Sequence, residues 1–311
     1  MANLRISDSQ INARFLSNVQ RTYSDMSKSH EQVLTGNRVN RVSEDPLAYA
    51  QGRLRQVDLD AIASAKRSAD TATAWLKTAD TGVASLTDIL QRANELTIRG
   101  ANSVYPAEQR SSIAVEIESL IAQAKSLMNG KSGDAYVFSG TATDTAPYNG
   151  TDVYLGNTGA VLRDLGSGSS VELTVTFSAV GGNLKLNAQS LIGEGNTAAD
   201  GRVLDTLQTI ATHLRGNDVA APSSGDLGAL KANIDALANA RAAIGSAQSR
   251  VDIAVAQLTE LEQTTTAALG DWTATDYTQA ITQFNSQQTA YMAALQSGAR
   301  LVQTSLLDFI R

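Results

Sequence analysis

Apolar positions recur at both ends of this chain in alternating steps of four and three. From residue 277 the row runs Tyr277, Ile281, Phe284, Gln288, Tyr291, Leu295, Gly298, Val302, Ser305 and Phe309, with Leu306 adding apolar area near its end. A weaker row near the start runs Ile11, Phe15, Asn18, Thr22, Met26, Ser29 and Val33. Such spacing lays one stripe along a helix and has the geometry of a coiled-coil seam. Two striped helices at opposite ends of a chain need partners, which can be each other or neighbouring copies. Several stripe positions are Asn, Thr, Ser, Gln or Gly and bury little. That leaves apolar area for other subunits while keeping the free chain soluble.

The pattern between these ends predicts helices, then strands, then helices. Leu34 to Pro46, rich in Gly, Asn, Arg and Ser, reads as an extended segment. Pro46 disfavours helical geometry at Asp45 and suits the first turn of a new helix. That helix carries the seam Ala72, Trp75, Ala79, Gly82, Leu86, Ile89, Ala93 and Leu96, and should end near Gly100. Pro106 restarts a helix that stops at Asn129-Gly130. From Lys131 to about Gly195, Ala135–Phe138 and Val171–Phe177 read as strands separated by Gly, Asn, Asp and Ser clusters. The second alternates strictly, so one of its faces should be buried. Helix returns from about Thr197 to Leu214. The longest seam then runs from Leu230 to Leu269, with a second stripe at Ala240, Ala247, Ala254, Leu261 and Ala268.

The predicted fold is mainly α with a β-rich insertion: an elongated helical bundle with paired terminal coiled-coil helices. Three parts are expected. Residues 1–44 and 276–311 form terminal helices, 45–130 and 196–275 a helical core, and 131–195 a β-rich outer part.

Composition narrows the function. The chain has 311 residues, a formal net charge of −6 and 5% aromatic residues. No Lys/Arg block stands out, so phosphate-dominated nucleic-acid binding is not expected. There are no cysteines and only two histidines, His30 and His213, which removes disulfides, thiolate metal sites and His-rich clusters. No run is long and apolar enough to span a bilayer, and the N-terminus lacks the layout of a cleaved signal peptide. A soluble chain, made in the cytoplasm and not inserted in membrane, is expected.

Candidate chemistry is sparse. Asn129-Gly130-Lys131-Ser132 ends like a phosphate loop, but Lys125 holds the position where the loop needs its first Gly. Asn149-Gly150-Thr151 fits a glycosylation sequon, although Asn-Gly is first a tight-turn signal. Glu116 and Glu118 point to different faces of a helix and read as surface. His30 and His213 read as surface or capping residues, and Trp75 and Trp272 as packing. No catalytic constellation is present, so neither an enzyme nor a cofactor is expected.

Several short stretches resemble one family. Leu34-Thr35-Gly36-Asn37-Arg38-Val39-Asn40, followed by Ser43-Glu44-Asp45-Pro46, is similar to the signature of the bacterial flagellin superfamily. Where filament flagellins continue with Ala-Ala-Gly, this chain has Pro46-Leu47-Ala48, which resembles the hook-associated protein 3 branch. Gly133-Asp-Ala-Tyr136-Val-Phe138-Ser-Gly140-Thr141 is similar to a motif of that branch. Arg241-Ala-Ala-Ile-Gly245 through Arg250 is similar to a superfamily motif. The ending Ser305-Leu-Leu-Asp308-Phe309 also suits that branch. Thr35, Glu44 and Ser246 depart mildly from the usual residues.

The resemblance covers roughly residues 1–145 and 226–311. It implies a structural, non-catalytic subunit of the extracellular flagellum, exported by the flagellar type III system without a cleaved signal. It also implies a position between hook-associated protein 1 and the flagellin filament. The expected contacts are neighbouring copies of the chain, hook-associated protein 1, flagellin and a cytoplasmic export chaperone on the C-terminal helix. The residues expected to carry assembly are Ile11, Phe15, Met26, Val33, Tyr277, Ile281, Phe284, Tyr291, Leu295, Val302, Leu306 and Phe309. A filament flagellin is the alternative within the superfamily.

Overall fold

The computed structural model describes residues 8–309 except 151, 167, 180–181, 196–198, 219 and 222–224. At 8–9, 11–12 and 299–309 it describes the backbone alone. Seven helices and six short strands follow one another within those residues: α1 Asp8–Thr35, α2 Pro46–Ala101, α3 Ala107–Met128, β1 Lys131–Ser132, β2 Ala135–Tyr136, β3 Leu162–Asp164, β4 Ser170–Glu172, β5 Thr176–Ala179, β6 Gly182–Lys185, α4 Ala188–Ile192, α5 Val203–Arg215, α6 Leu227–Thr273 and α7 Tyr277–Phe309. The fold is mainly α with a small β-rich insertion, as the sequence pattern predicts.

Two compact units divide the chain. One comprises Met1–Asp60 with Leu261–Arg311, and the other Ala61–Glu260. The divisions fall inside α2 and α6.

The larger unit has one main core. Along α2, Ala72, Trp75, Ala79, Leu86, Ile89, Ala93 and Leu96 are buried as their spacing predicts. They meet Ile117 and Met128 of α3, Leu204 and Ile210 of α5, and Leu237, Ile244 and Val251 of α6. The β segment joins the same cluster through Phe138, Leu173, Val175 and Phe177. Phe138 is fully buried. A side chain at Gly82 would bring its first carbon within 2.9 Å of the Phe138 ring, so that glycine makes room for the aromatic. The expected face of Val171–Phe177 is buried, but the run is not one strand. Its first part pairs with β3 and its second with β6, both antiparallel. Thr174 marks the change, because its hydroxyl accepts the Val161 N–H at 3.0 Å and replaces a ladder bond.

Another expectation is corrected. Helix was expected from about Thr197, which lies outside the described residues, but Ala199–Arg202 are not helical and α5 begins at Val203. Ala199 and Gly201 have positive φ, which a right-handed helix cannot include. Asp205 then accepts the Gly201 N–H at 2.9 Å.

The end of α2 shows how polar groups close a helix here. Arg110 is 4% exposed and has no carboxylate partner among its described bonds. Its guanidinium instead donates to the carbonyls of Gly100, Asn102 and Ser103, and to the Asn217 side chain. The Gly100 carbonyl in the last turn of α2, and two carbonyls just beyond the helix, thereby gain a cation.

Candidate functional site: the terminal helices and their anchoring loop

Within the smaller unit, α1 and α7 run antiparallel. Three contacts set the register. His30 lies against Phe284 with ring centroids 5.5 Å apart, Tyr23 against Tyr291 at 5.7 Å, and Ser29 donates to the Gln287 side chain at 2.6 Å. A fourth is steric. A Cβ at Gly298 would lie 1.9 Å from the Phe15 ring, so the glycine is the hole into which the aromatic fits.

On α1 the inward row is Phe15, Val19, Thr22, Met26, Ser29 and Val33; Asn18 is exposed and Val19 takes its place. On α7 the inward row is Ala280, Phe284, Gln287, Tyr291, Ala294 and Gly298. The stripe expected to lie on one side is therefore split. Phe284, Tyr291 and Gly298 turn inward, whereas Tyr277, Ile281 and Leu295 are 53%, 46% and 46% exposed. Both rows alternate steps of four and three, so periodicity cannot choose between them. The small residues Ala280 and Ala294 decide, because with Gly298, common to both rows, they let the two backbones approach. The side chains of Ile11, Val302, Leu306 and Phe309 lie outside the described residues.

Gly298→Val should drive the Phe15 ring out of the seam and loosen the terminal pair. Limited proteolysis of the purified chain should then cut α1 and α7 faster, while the larger unit keeps its pattern. Unchanged cleavage would show that the ring does not occupy that hole.

The loop between α1 and α2 holds the first family-like motif. Gly36 has φ +71°, a left-handed geometry, and a Cβ there would meet the Tyr277 hydroxyl at 2.4 Å. Arg38 donates its backbone N–H to Thr273 O at 2.7 Å. Asn40 donates its N–H to Glu44 Oε2 at 2.9 Å and its side-chain amide to Asn37 O at 3.2 Å. Asp45 accepts the Ala48 N–H at 3.0 Å and so caps α2, whose first residue is Pro46. Burial alone would raise the Glu44 carboxyl. The N–H groups of Asn40 and Arg41 and the Lys28 ammonium outweigh it and hold Glu44 below the usual carboxylate range. The Ala48 N–H, and then the Arg38 charge, hold Asp45 low as well.

The other motif residues lie in the larger unit. Tyr136 sits in β2 with Lys131 Nζ 4.4 Å from its ring centroid. The Phe138 carbonyl accepts from the Ala188 N–H at 2.8 Å and the Tyr154 hydroxyl at 3.0 Å. Gly140 has φ +66°, and a Cβ there would lie 2.1 Å from Asn157 O. Arg241 forks onto Asp80 at 2.9 and 3.4 Å. Gly245 and Arg250 are exposed. Tyr23, Gln287 and the Val19 position escaped the sequence pattern, since each is polar or set one step off the stripe.

The side chains read as surface have partners. Glu116 accepts from Arg92 at 2.6 Å, and Glu118 from Arg215 at 2.7 Å. His213 Nδ1 lies 2.9 Å from Asp226 Oδ2. Among the described residues, no group of three or more His, Cys, Asp or Glu could hold a metal ion. No helix of the described residues is long and apolar enough to cross a membrane.

Comparison with known proteins agrees with this geometry. Residues 6–143 match the bacterial flagellin N-terminal helical region, and residues 227–310 the C-terminal helical region. A 33 kDa flagellar filament core protein of Treponema phagedenis is 25% identical over 237 residues, covering 75% of this chain and 73% of that protein. Flagellar hook-associated protein 3 of Salmonella typhimurium is 24% identical over 187 residues, covering 60% and 59%. The flagellar junction protein FlgL of Legionella pneumophila shares the fold with a TM-score of 0.54 at 15% identity, over 72% of this chain and 100% of that one. The two family regions span both ends of the chain and contain α1, α7 and the anchoring loop. The chain belongs to the bacterial flagellin family and is a structural component of the flagellum rather than an enzyme.

Proposed function

We propose that this chain is the hook–filament junction subunit, the role of hook-associated protein 3, seated between hook-associated protein 1 and the flagellin filament. The observation that carries an assembly role is the outward row Tyr277, Ile281 and Leu295 on α7, apolar area that the chain's own α1 leaves uncovered. Neighbouring copies and the adjoining flagellar proteins cover it in the assembled structure. In this reading residues 1–44 and 276–311 build the inner tube, 45–130 and 196–275 pack around it, and 131–195 face outward. The chain leaves the cytoplasm through the flagellar type III channel, with an export chaperone holding the apolar face of α7 beforehand.

The junction is favoured over the filament by Pro46-Leu47-Ala48 at the start of α2 and by the motif around Tyr136 and Phe138. The 25% identity to a Treponema filament core protein favours a filament flagellin instead. Deletion of the gene followed by electron microscopy separates the two. A junction subunit leaves bare hooks while flagellin accumulates in the medium. A filament flagellin leaves bare hooks without secreted flagellin, and that outcome would overturn the junction assignment.

A further inference from the structure

The last turn of α6 contains no basic residue. A helix C-terminus nevertheless presents unpaired carbonyls with partial negative charge. The cation there comes from a segment 234 positions away: Arg38 Nη2 donates to Trp272 O at 3.2 Å. Arg38 Nη1 lies 3.5 Å from Asp45 Oδ2, the carboxylate that caps α2. One guanidinium therefore touches the end of α6 and the start of α2. The backbone reinforces it. Arg38 N–H donates to Thr273 O at 2.7 Å, Thr275 N–H to Gly36 O at 3.0 Å, and Asn37 and Ala274 form an antiparallel bridge. Gln32, in the last turn of α1, donates its side-chain amide to Arg38 O at 2.8 Å.

The Tyr277 ring packs against Gly36, but packing does not fill the space beside every one of these bonds. An open cavity of about 250 Å3 adjoins them, lined by residues including Asn37, Val39, Asn40, Tyr49, Arg53 and Leu269. Where side chains fill the space, van der Waals contact holds the direction of a helix. Where a void adjoins the joint, polar contacts carry more of that task. The chain passes through this joint twice, once from α1 to α2 and once from α6 to α7.

We propose that Arg38 is a positioning residue for assembly. Its forked guanidinium ties the C-terminal end of α6 to the N-terminal end of α2 and thereby sets the direction in which α1 and α7 leave this joint. The inference rests on the assembly role proposed above, because it assigns to this joint the presentation of the outward face of α7 to neighbouring subunits. A lysine carries the charge but not the planar fork, so it cannot hold both contacts in the same geometry.

The chain has no native cysteine, so spin labels can be placed freely. Ser24→Cys on α1 and Gln263→Cys on α6 are both at exposed positions. Pulsed electron–electron resonance on the full-length chain should give one narrow distance distribution. Arg38→Ala should lose that narrow peak, and Arg38→Lys should recover only part of it. Arg41→Ala removes a neighbouring cation that pairs with Glu31, and should leave the peak intact. Thermal melting of all three should match the parent, which excludes a general loss of fold. Arg38→Ala should also fail to support filament growth. A narrow peak retained in Arg38→Ala would overturn the clamp, whatever the motility result. A lost peak with normal filaments would overturn its role in assembly. Neither outcome depends on whether the gene deletion identifies the chain as junction or filament.

Discussion

Replacing Leu295 with Asp should abolish filament growth and swimming while leaving the melting curve of the purified chain almost unchanged. Leu295 is 46% exposed and lies outside the row through which α7 meets α1. An aspartate there stays hydrated in the free chain, and its cost is limited to a weaker helix preference, about 0.5 kcal/mol. In an assembly the same position would be covered. Burying a leucine contributes roughly 1.5–3 kcal/mol, and the aspartate forfeits that in every subunit. A charge buried there without a cation opposite would cost more than the lost packing. The measurement is a motility assay beside a thermal melt. Normal swimming would remove this face from the assembly surface. A collapsed melting temperature would instead place Leu295 in the monomer's own core. If the export chaperone holds the same face, its affinity for the variant should fall too.

Phe138→Ala should have the opposite profile, with a large loss of monomer stability. The ring is fully buried in the core built from α2, α3, α5 and α6, and the Phe138 carbonyl anchors the start of α4. Removing a buried phenylalanine side chain typically costs about 3–5 kcal/mol, because transfer and cavity terms add. For a unit of this size that corresponds to a fall in melting temperature of roughly 6–20 °C. The loss bears on how the β segment is used. A detachable outer part would let the variant melt within about 2 °C of the parent, since the helical core would keep its own packing. A large fall would show that residues 131–195 contribute to the stability of the helices they follow, and that deleting them uncovers apolar surface.

The Val171–Phe177 run shows where pattern stops short of topology. Strict alternation is a property of the local chain, and it correctly marks Val171, Leu173, Val175 and Phe177 as the buried face. Whether the run pairs with one neighbour or two depends on where β3 and β6 arrive, and no local signal carries that. The start of α5 is similar. Apolar spacing permits helix from Thr197, but the positive φ of Ala199 and Gly201 belongs to a turn held by Asp200 and Asp205. Arg38 was legible as a motif residue and not as a clamp, because its partners Trp272 and Thr273 offer only backbone carbonyls.

The sequence by itself determined the succession of helices, then strands, then helices, the seams of α2 and α6, Pro46 in the first turn of α2, and the family. Those follow from periodicity, from Pro and Gly at helix ends and from short motifs, all of which act within a few residues of chain. Tertiary structure alone decided which row of α7 turns inward. The two rows share Phe284, Tyr291 and Gly298 and satisfy the same periodicity. The choice required the partner helix: Ser29 bonds Gln287, which belongs to the inward row alone, and Ala280 and Ala294 of that row permit close approach. Helix pairing is selected by the shape of two surfaces together, and one surface read alone leaves both registers open.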